Sequence, residues 1–274
     1  MAAGEPLGPR ADVARPSPGP WALEVEGLVK SYGSTPALRG VSFAVPAGSI
    51  VGLLGPNGAG KSTVMKAIVG VLRPDGGRLR ILGTDFRTDP LELKHRVGYV
   101  PESPALYEFL TGAEYLDFVS DLYGLPAALR AHRIGTFLDA LELRGHENSL
   151  ISGYSNGMKQ KIALTAALLH RPRLLILDEA LNGLDPRAAR IVKELLAKLT
   201  REEGIGVLFS THVLDIAEAV CDRVVILYRG VVVAEGTAAE LKRRSGTPNS
   251  GLEEAFLALT GGDSLREVVA ALLR

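Results

Sequence analysis

Eight residues, GPNGAGKS at positions 55–62, carry the plainest chemistry in the chain. Glycines let the backbone curl so that successive N–H groups point inward at a phosphate chain, and a lysine just beyond them reaches the β- and γ-phosphates. Gly55, Pro56, Asn57, Gly58, Ala59 and Gly60 would form the cradle and Lys61 would bring the ammonium. Ser62 would offer its hydroxyl to Mg²⁺, and Thr63 a further phosphate contact. A flexible turn before a helix is the plainer alternative; the strand-like SIVGLLG before the loop and the helical STVMKAIVGVL after it weigh against that.

A second stretch, RLLILDEA at 173–180, is a hydrophobic strand that ends in two acids. Carboxylates beside a buried strand are costly unless they meet a cation or a hydrogen-bond network. A metal held beside Ser62 would account for Asp178, and a base poised to take a proton from an attacking water would account for Glu179. A third stretch, GYSNGMKQK at 153–161, opens a helix with another small-residue loop, where exposed N–H groups and the positive helix end suit a second phosphate. Ser155 could equally be a plain helix cap.

These residues need elements to hold them. WALEVEGLVKSYG and ALRGVSFAVPAG alternate apolar and polar residues and predict an antiparallel β layer. RLRIL at 78–82 and VGYVP at 97–101 read as further strands. Between about 103 and 170 strand signals give way to helical spacing, a helical insertion. Strand and helix then alternate through RLLILDE, GIGVLFSTH, RVVILYRG and VVVAEG, predicting a mostly parallel sheet with helices on its faces. The expected divisions are a disordered leader at 1–20, an α/β domain at 21–245 and a short helical tail at 246–274, LEEAFLALTGG and SLREVVAALLR, whose packing partners the sequence does not identify.

Composition narrows the function. Thirty-one Lys and Arg balance 31 Asp and Glu, which disfavours a protein that lives on nucleic acid. One cysteine, Cys221, rules out an internal disulfide, and the five histidines have no metal-binding company. No apolar run approaches the roughly 18 to 20 residues that a membrane-spanning helix needs.

In combination the motifs resemble the ATP-binding subunit of an ABC transporter, from about Leu23 to Gly236. GPNGAGKST resembles that family's Walker A loop of a P-loop NTPase core, LLILDE its Walker B strand, NGLDP at 182–186 its D-loop with Asp185, and STH at 210–212 its switch histidine. YSNGM stands where the family's LSGGQ signature lies, with Ser155 and Gly157 retained and Asn156 and Met158 as departures. Ala180 replaces the usual proline after the catalytic acid, and Glu102 stands in place of the Q-loop glutamine, bringing a charge as well as an oxygen for Mg²⁺ or water.

The resemblance implies ATP and Mg²⁺ as ligands, Tyr32 stacked on adenine and His212 on the γ-phosphate. It also implies a second ATP-binding subunit, identical or not, whose ATP is gripped by the Ser155 loop, and a transmembrane permease subunit at the cytoplasmic face of the cell membrane. The wording of the insertion, LYE, LTG and EYL, is similar to ABC-2 type exporter subunits. Soluble ABC ATPases acting on ribosomes or DNA are the rival class; those tend to carry two cassettes, a long coiled coil or a basic surface, and a silent nucleotide binder would not need Glu179 and His212.

Overall fold

The computed structural model describes residues 20–248 and 250–261. The expected leader, apart from its last residue, and the second tail helix lie outside these residues. The described chain opens with strands β1 (Trp21–Tyr32), β2 (Thr35–Pro46) and β3 (Ile50–Leu54), then helix α1 (Lys61–Ile68), β4 (Gly76–Ile81), β5 (Thr84–Asp85), α2 (Pro90–Lys94) and β6 (Val97–Val100). A helical stretch follows: α3 (Gly112–Leu122), α4 (Ala127–Ala140), a 3-10 turn (Ile151–Gly153) and α5 (Asn156–Leu169). Then come β7 (Leu174–Asp178), α6 (Pro186–Glu203), β8 (Gly206–Thr211), α7 (Leu214–Val220), β9 (Arg223–Tyr228), β10 (Val231–Gly236), α8 (Ala238–Arg244) and α9 (Leu252–Thr260).

Two sheets result. One is antiparallel in the order β2-β1-β4-β5; the other runs β10-β9-β3-β8-β7-β6, parallel except for β10. Strands β3, β7 and β8 are buried along their whole length, as expected of a parallel sheet covered on both faces. The two-residue period of a strand decides which layer each side chain joins. Leu174 and Ile176 pack with Val64, Met65 and Ile68 of α1 and with the antiparallel sheet, whereas Leu175 and Leu177 pack with α5 and α6.

The helical stretch has its own core, in which Leu116, Ile134, Leu138, Leu143 and Ile162 are buried together. A capping box starts α3: Thr111 accepts from the Glu114 N–H, and Glu114 accepts from the Thr111 N–H. A single bridge between Thr111 and Leu150 is its only strand-type pairing among the described residues.

Three local features were not announced by the sequence. Helix α1 stops at Ile68 instead of running through VGVL, because Gly70 takes a left-handed conformation (φ 73°) against the Phe86 ring, where a Cβ would lie 2.5 Å from a ring carbon. The short β5 and α2 had no clear periodicity to announce them. Helix α9 of the tail buries Leu252 and Ala255 against Ala217, Ile226, Ala234 and Leu241, so it is packed into the main body.

Candidate functional site

The loop after β3 is shaped by close backbone approach. A side chain at Gly55 would put its Cβ 2.3 Å from the Leu227 carbonyl oxygen, and Gly60 combines φ 109° with only 3.0 Å to the Ala37 oxygen. Both positions admit glycine alone. Lys61, 5% exposed, donates to the Gly55 carbonyl at 2.8 Å and the Pro56 carbonyl at 3.3 Å, so its ammonium is held inside the loop. Beside it opens a cleft of about 330 Å³ lined by Asn57, Gly58, Gly60, Lys61, Ser62 and Thr63. Ala37 of β2, Glu102 and Glu179 complete the lining.

Strand β7 lies one strand away from β3, across β8, and delivers the acids to the same end of the sheet. Asp178, buried, is turned onto Ser210, its register partner on β8, whose hydroxyl donates at 2.5 Å. Glu179 leaves the strand in a left-handed conformation (φ 50°), fixed by its N–H donating to the Ser210 hydroxyl at 3.0 Å and carbonyl at 3.2 Å. Its side chain is buried among polar partners: Lys61 Nζ stands 3.5 Å from Oε1, while Asn182 Nδ2 at 2.8 Å and His212 Nδ1 at 2.7 Å contact Oε2. A carboxylate there is stabilised by a cation and two hydrogen-bonding groups, the compensation that burial requires. Nearby, burial and then the charge of Asp178 push the Tyr99 hydroxyl up to about 12.

Ser62, Asp178 and Glu102 offer only oxygen donors, a set suited to a hard cation such as Mg²⁺. Glu102 and Glu179 line the same cleft as Ser62, and Asp178 ends the strand that leads to Glu179. Among the described residues no group of three acidic, histidine or cysteine side chains is close enough to hold an ion by itself. Asp178 is committed to Ser210, whereas Glu102 sits exposed on the loop after β6. Phosphate and water oxygens would have to complete any magnesium shell.

The remaining predicted residues lie outside the cleft lining. Ser155 caps α5 by accepting from the Met158 N–H at 3.2 Å. Gly157 lies against the loop before α6; a Cβ there would stand 2.8 Å from the Gly183 oxygen. Asp185 caps α6 through the Ala188 N–H at 2.8 Å and pairs with Lys161 at 2.8 Å; the Lys161 hydrogen bond, then that backbone bond, holds its carboxyl below the usual range. Tyr32, 52% exposed, ends β1, with the Lys30 ammonium 6.0 Å from its ring centre. Sequence reasoning missed the partners Asn182, Gln160 and Lys161, although Asn182 stands three places after Glu179, a spacing that permits a local side-chain bond.

A glycine-rich loop between a buried parallel strand and a helix, its lysine facing a carboxylate from the next strand but one, defines a P-loop nucleotide hydrolase. A family model described as ABC transporter matches residues 38–182, and the chain belongs to the ABC transporter family. It is 38% identical over 226 residues to the daunorubicin/doxorubicin resistance ATP-binding protein DrrA of Streptomyces peucetius, covering 82% of this chain and 68% of that one. A solved ATP-binding subunit of an ABC transporter superposes with a TM-score of 0.82 at 38% identity, covering 87% of this chain and 99% of the other. The dimeric ATP-binding cassette MJ0796, in a post-hydrolysis state bound to ADP and Pi, superposes with a TM-score of 0.72 at 25% identity, covering 78% of this chain and 98% of the other. The chain is thus an ATP-binding and ATP-hydrolysing subunit that powers transport.

Proposed function

We propose that this chain is the motor of an exporter and that it works as one half of a closed pair. Lys61 and the loop N–H groups bind the β- and γ-phosphates of ATP, Tyr32 stacks on the adenine, and Ser62 and Asp178 hold Mg²⁺, with Glu102 contributing an oxygen from across the cleft. Bound Mg²⁺ would neutralise phosphate charge. Glu179 accepts the proton of the water that attacks the γ-phosphorus, while His212 orients Glu179 and contacts the γ-phosphate. Ser155 and Gly157 of a second ATP-binding subunit, identical or homologous, close over the same γ-phosphate, with Asp185 at the edge of that contact.

The observation that carries this reading is Glu179 itself: a buried carboxylate at the phosphate cleft, 3.5 Å from Lys61 and 2.7 Å from His212. No helix among the described residues is long and apolar enough to cross a membrane. The likeness to ATP-binding subunits of ABC transporters supports a separate permease as partner, with this chain bound to it at the cytoplasmic face. The groove between β6 and α3, about 330 Å³ and lined by Tyr99, Leu106, Tyr115, Leu122 and Tyr123, offers an apolar seat for a permease helix. Exposed Tyr107, Phe109 and Phe118 near it add aromatic anchors. The resistance-type name of the relative supports export.

Glu179→Gln tests the core of the proposal. It keeps shape and hydrogen bonding and removes the base, so ATP should bind and hold the pair closed while phosphate release falls about a thousandfold. Size-exclusion chromatography with ATP and Mg²⁺ and a phosphate-release assay read both effects; a monomer that still hydrolyses at the wild-type rate would defeat the reading.

A further inference from the structure

The two loops that serve different ATP molecules are joined inside the chain by one side chain. Gln160, 3% exposed, lies on α5 just over one turn after the Ser155 loop. Its Nε2 donates to the Ala180 carbonyl at 3.2 Å and makes a longer 3.5 Å contact to the Pro101 carbonyl. Those oxygens belong to the residues immediately after Glu179 and immediately before Glu102, the two acids that line the phosphate cleft. Neighbouring contacts stiffen the link: Lys161 pairs with Asp185 at 2.8 Å, and Gly157 lies against Gly183.

We infer that Gln160 is a positioning residue that sets the backbone around Glu179 and Glu102 according to the position of α5, so that engagement of the Ser155 loop by a partner's ATP primes the chain's own site. The physical basis is rigidity: α5 is buried from Gln160 to Leu169, so a displacement at its first turn is carried along the helix rather than absorbed. A buried amide that loses one of its carbonyl acceptors costs free energy, so the two loops follow it. Closure at one ATP then favours hydrolysis at the other, and two sites become coupled.

This inference rests on the two-site pairing proposed above, and the test separates the two. Gln160→Met keeps volume and apolar stem but has no donor; Gln160→Asn keeps the donor on a shorter stem. ATP affinity of the separated subunit, ATPase rate against ATP concentration, and thermal melting are measured for both and for the unaltered chain. The unaltered chain should show a Hill coefficient near the two-site limit of about 2. Gln160→Met should bind ATP with unchanged affinity, yet fall to a Hill coefficient of about 1 with kcat lowered about tenfold. Gln160→Asn should recover part of both. A Met variant that matches the unaltered chain, or Met and Asn variants with equal losses, would overturn the inference. An unaltered chain that hydrolyses without cooperativity would overturn the pairing and this inference with it.

Discussion

At the scale of single residues, Lys61 has two jobs. It is the cation of the phosphate loop and the only ammonium or guanidinium near Glu179 among the described residues. Lys61→Ala therefore removes phosphate binding and leaves a buried carboxylate without its counter-charge. ATP affinity should fall at least about a hundredfold, and turnover should be lost, in a nucleotide-binding and phosphate-release assay. Glu102 makes a gentler case. It is exposed, it lines the cleft, and among the described residues it belongs to no preformed group of three possible metal ligands. Glu102→Gln keeps an oxygen and should leave turnover within about tenfold of wild type, whereas Glu102→Ala should lower it further and raise the Mg²⁺ concentration needed for half-maximal rate. Superimposable Mg²⁺ curves for the three proteins would remove Glu102 from the site. Lys61, Ser62, Asp178 and Glu179 could all be picked from sequence because their spacing is tied to one chemistry. Gln160 and Asn182 could not, since an amide on an ordinary helix or loop announces nothing until its partners are in place.

At the scale of elements, the ends of three helices meet in a ring stack. Tyr123, the residue closing α3, lies flat on His170, which closes α5, with ring centres 3.8 Å apart; His95, closing α2, meets Tyr123 edge-on at 5.4 Å. His170 Nε2 donates to the Val97 carbonyl at 3.1 Å, and its Nδ1 is buried without a partner among the described residues. Burial, more than the nearby His95 and Arg133, lowers its pKa from 6.5 to about 4, and the Val97 bond only partly opposes this. The unfolded chain therefore takes up a proton that the folded one refuses. Stability held above pH 6.5 should drain away as pH falls toward 4, by on the order of 2 kcal/mol, and level off below. Urea titrations across that window should show a steeper slope in the wild type than in His170→Phe, since lowered carboxyls such as Asp185 contribute to both; parallel profiles would refute the assignment. The strands around this stack were readable from their apolar runs and the helices from their period. The early stop of α1 at Gly70 and the two-residue β5 were not, because each depends on a distant side chain such as Phe86 and not on local pattern.

At the scale of the whole molecule, one chain carries a phosphate cleft and, outside it, the Ser155 loop proposed above to grip a partner's phosphate. Ser155→Arg fills that loop with a long charged side chain while leaving Lys61 and Glu179 untouched. Nucleotide binding to the single subunit should stay within about twofold of wild type, while the ATP-dependent dimer disappears from light scattering. A dimer that persists would place the contact elsewhere. Watching such pairs open and close calls for reporters, and here the lone cysteine matters. Cys221 lies against Gly52 of β3, where a Cβ would come within 2.8 Å of its sulfur, and burial, with the charge of Asp222, pushes its thiol up to about 12. Held protonated at neutral pH and only partly exposed, it is a poor nucleophile. The native protein is in effect already cysteine-silent, so single thiols introduced on the signature loop and beside the cleft can be dyed selectively without first deleting anything.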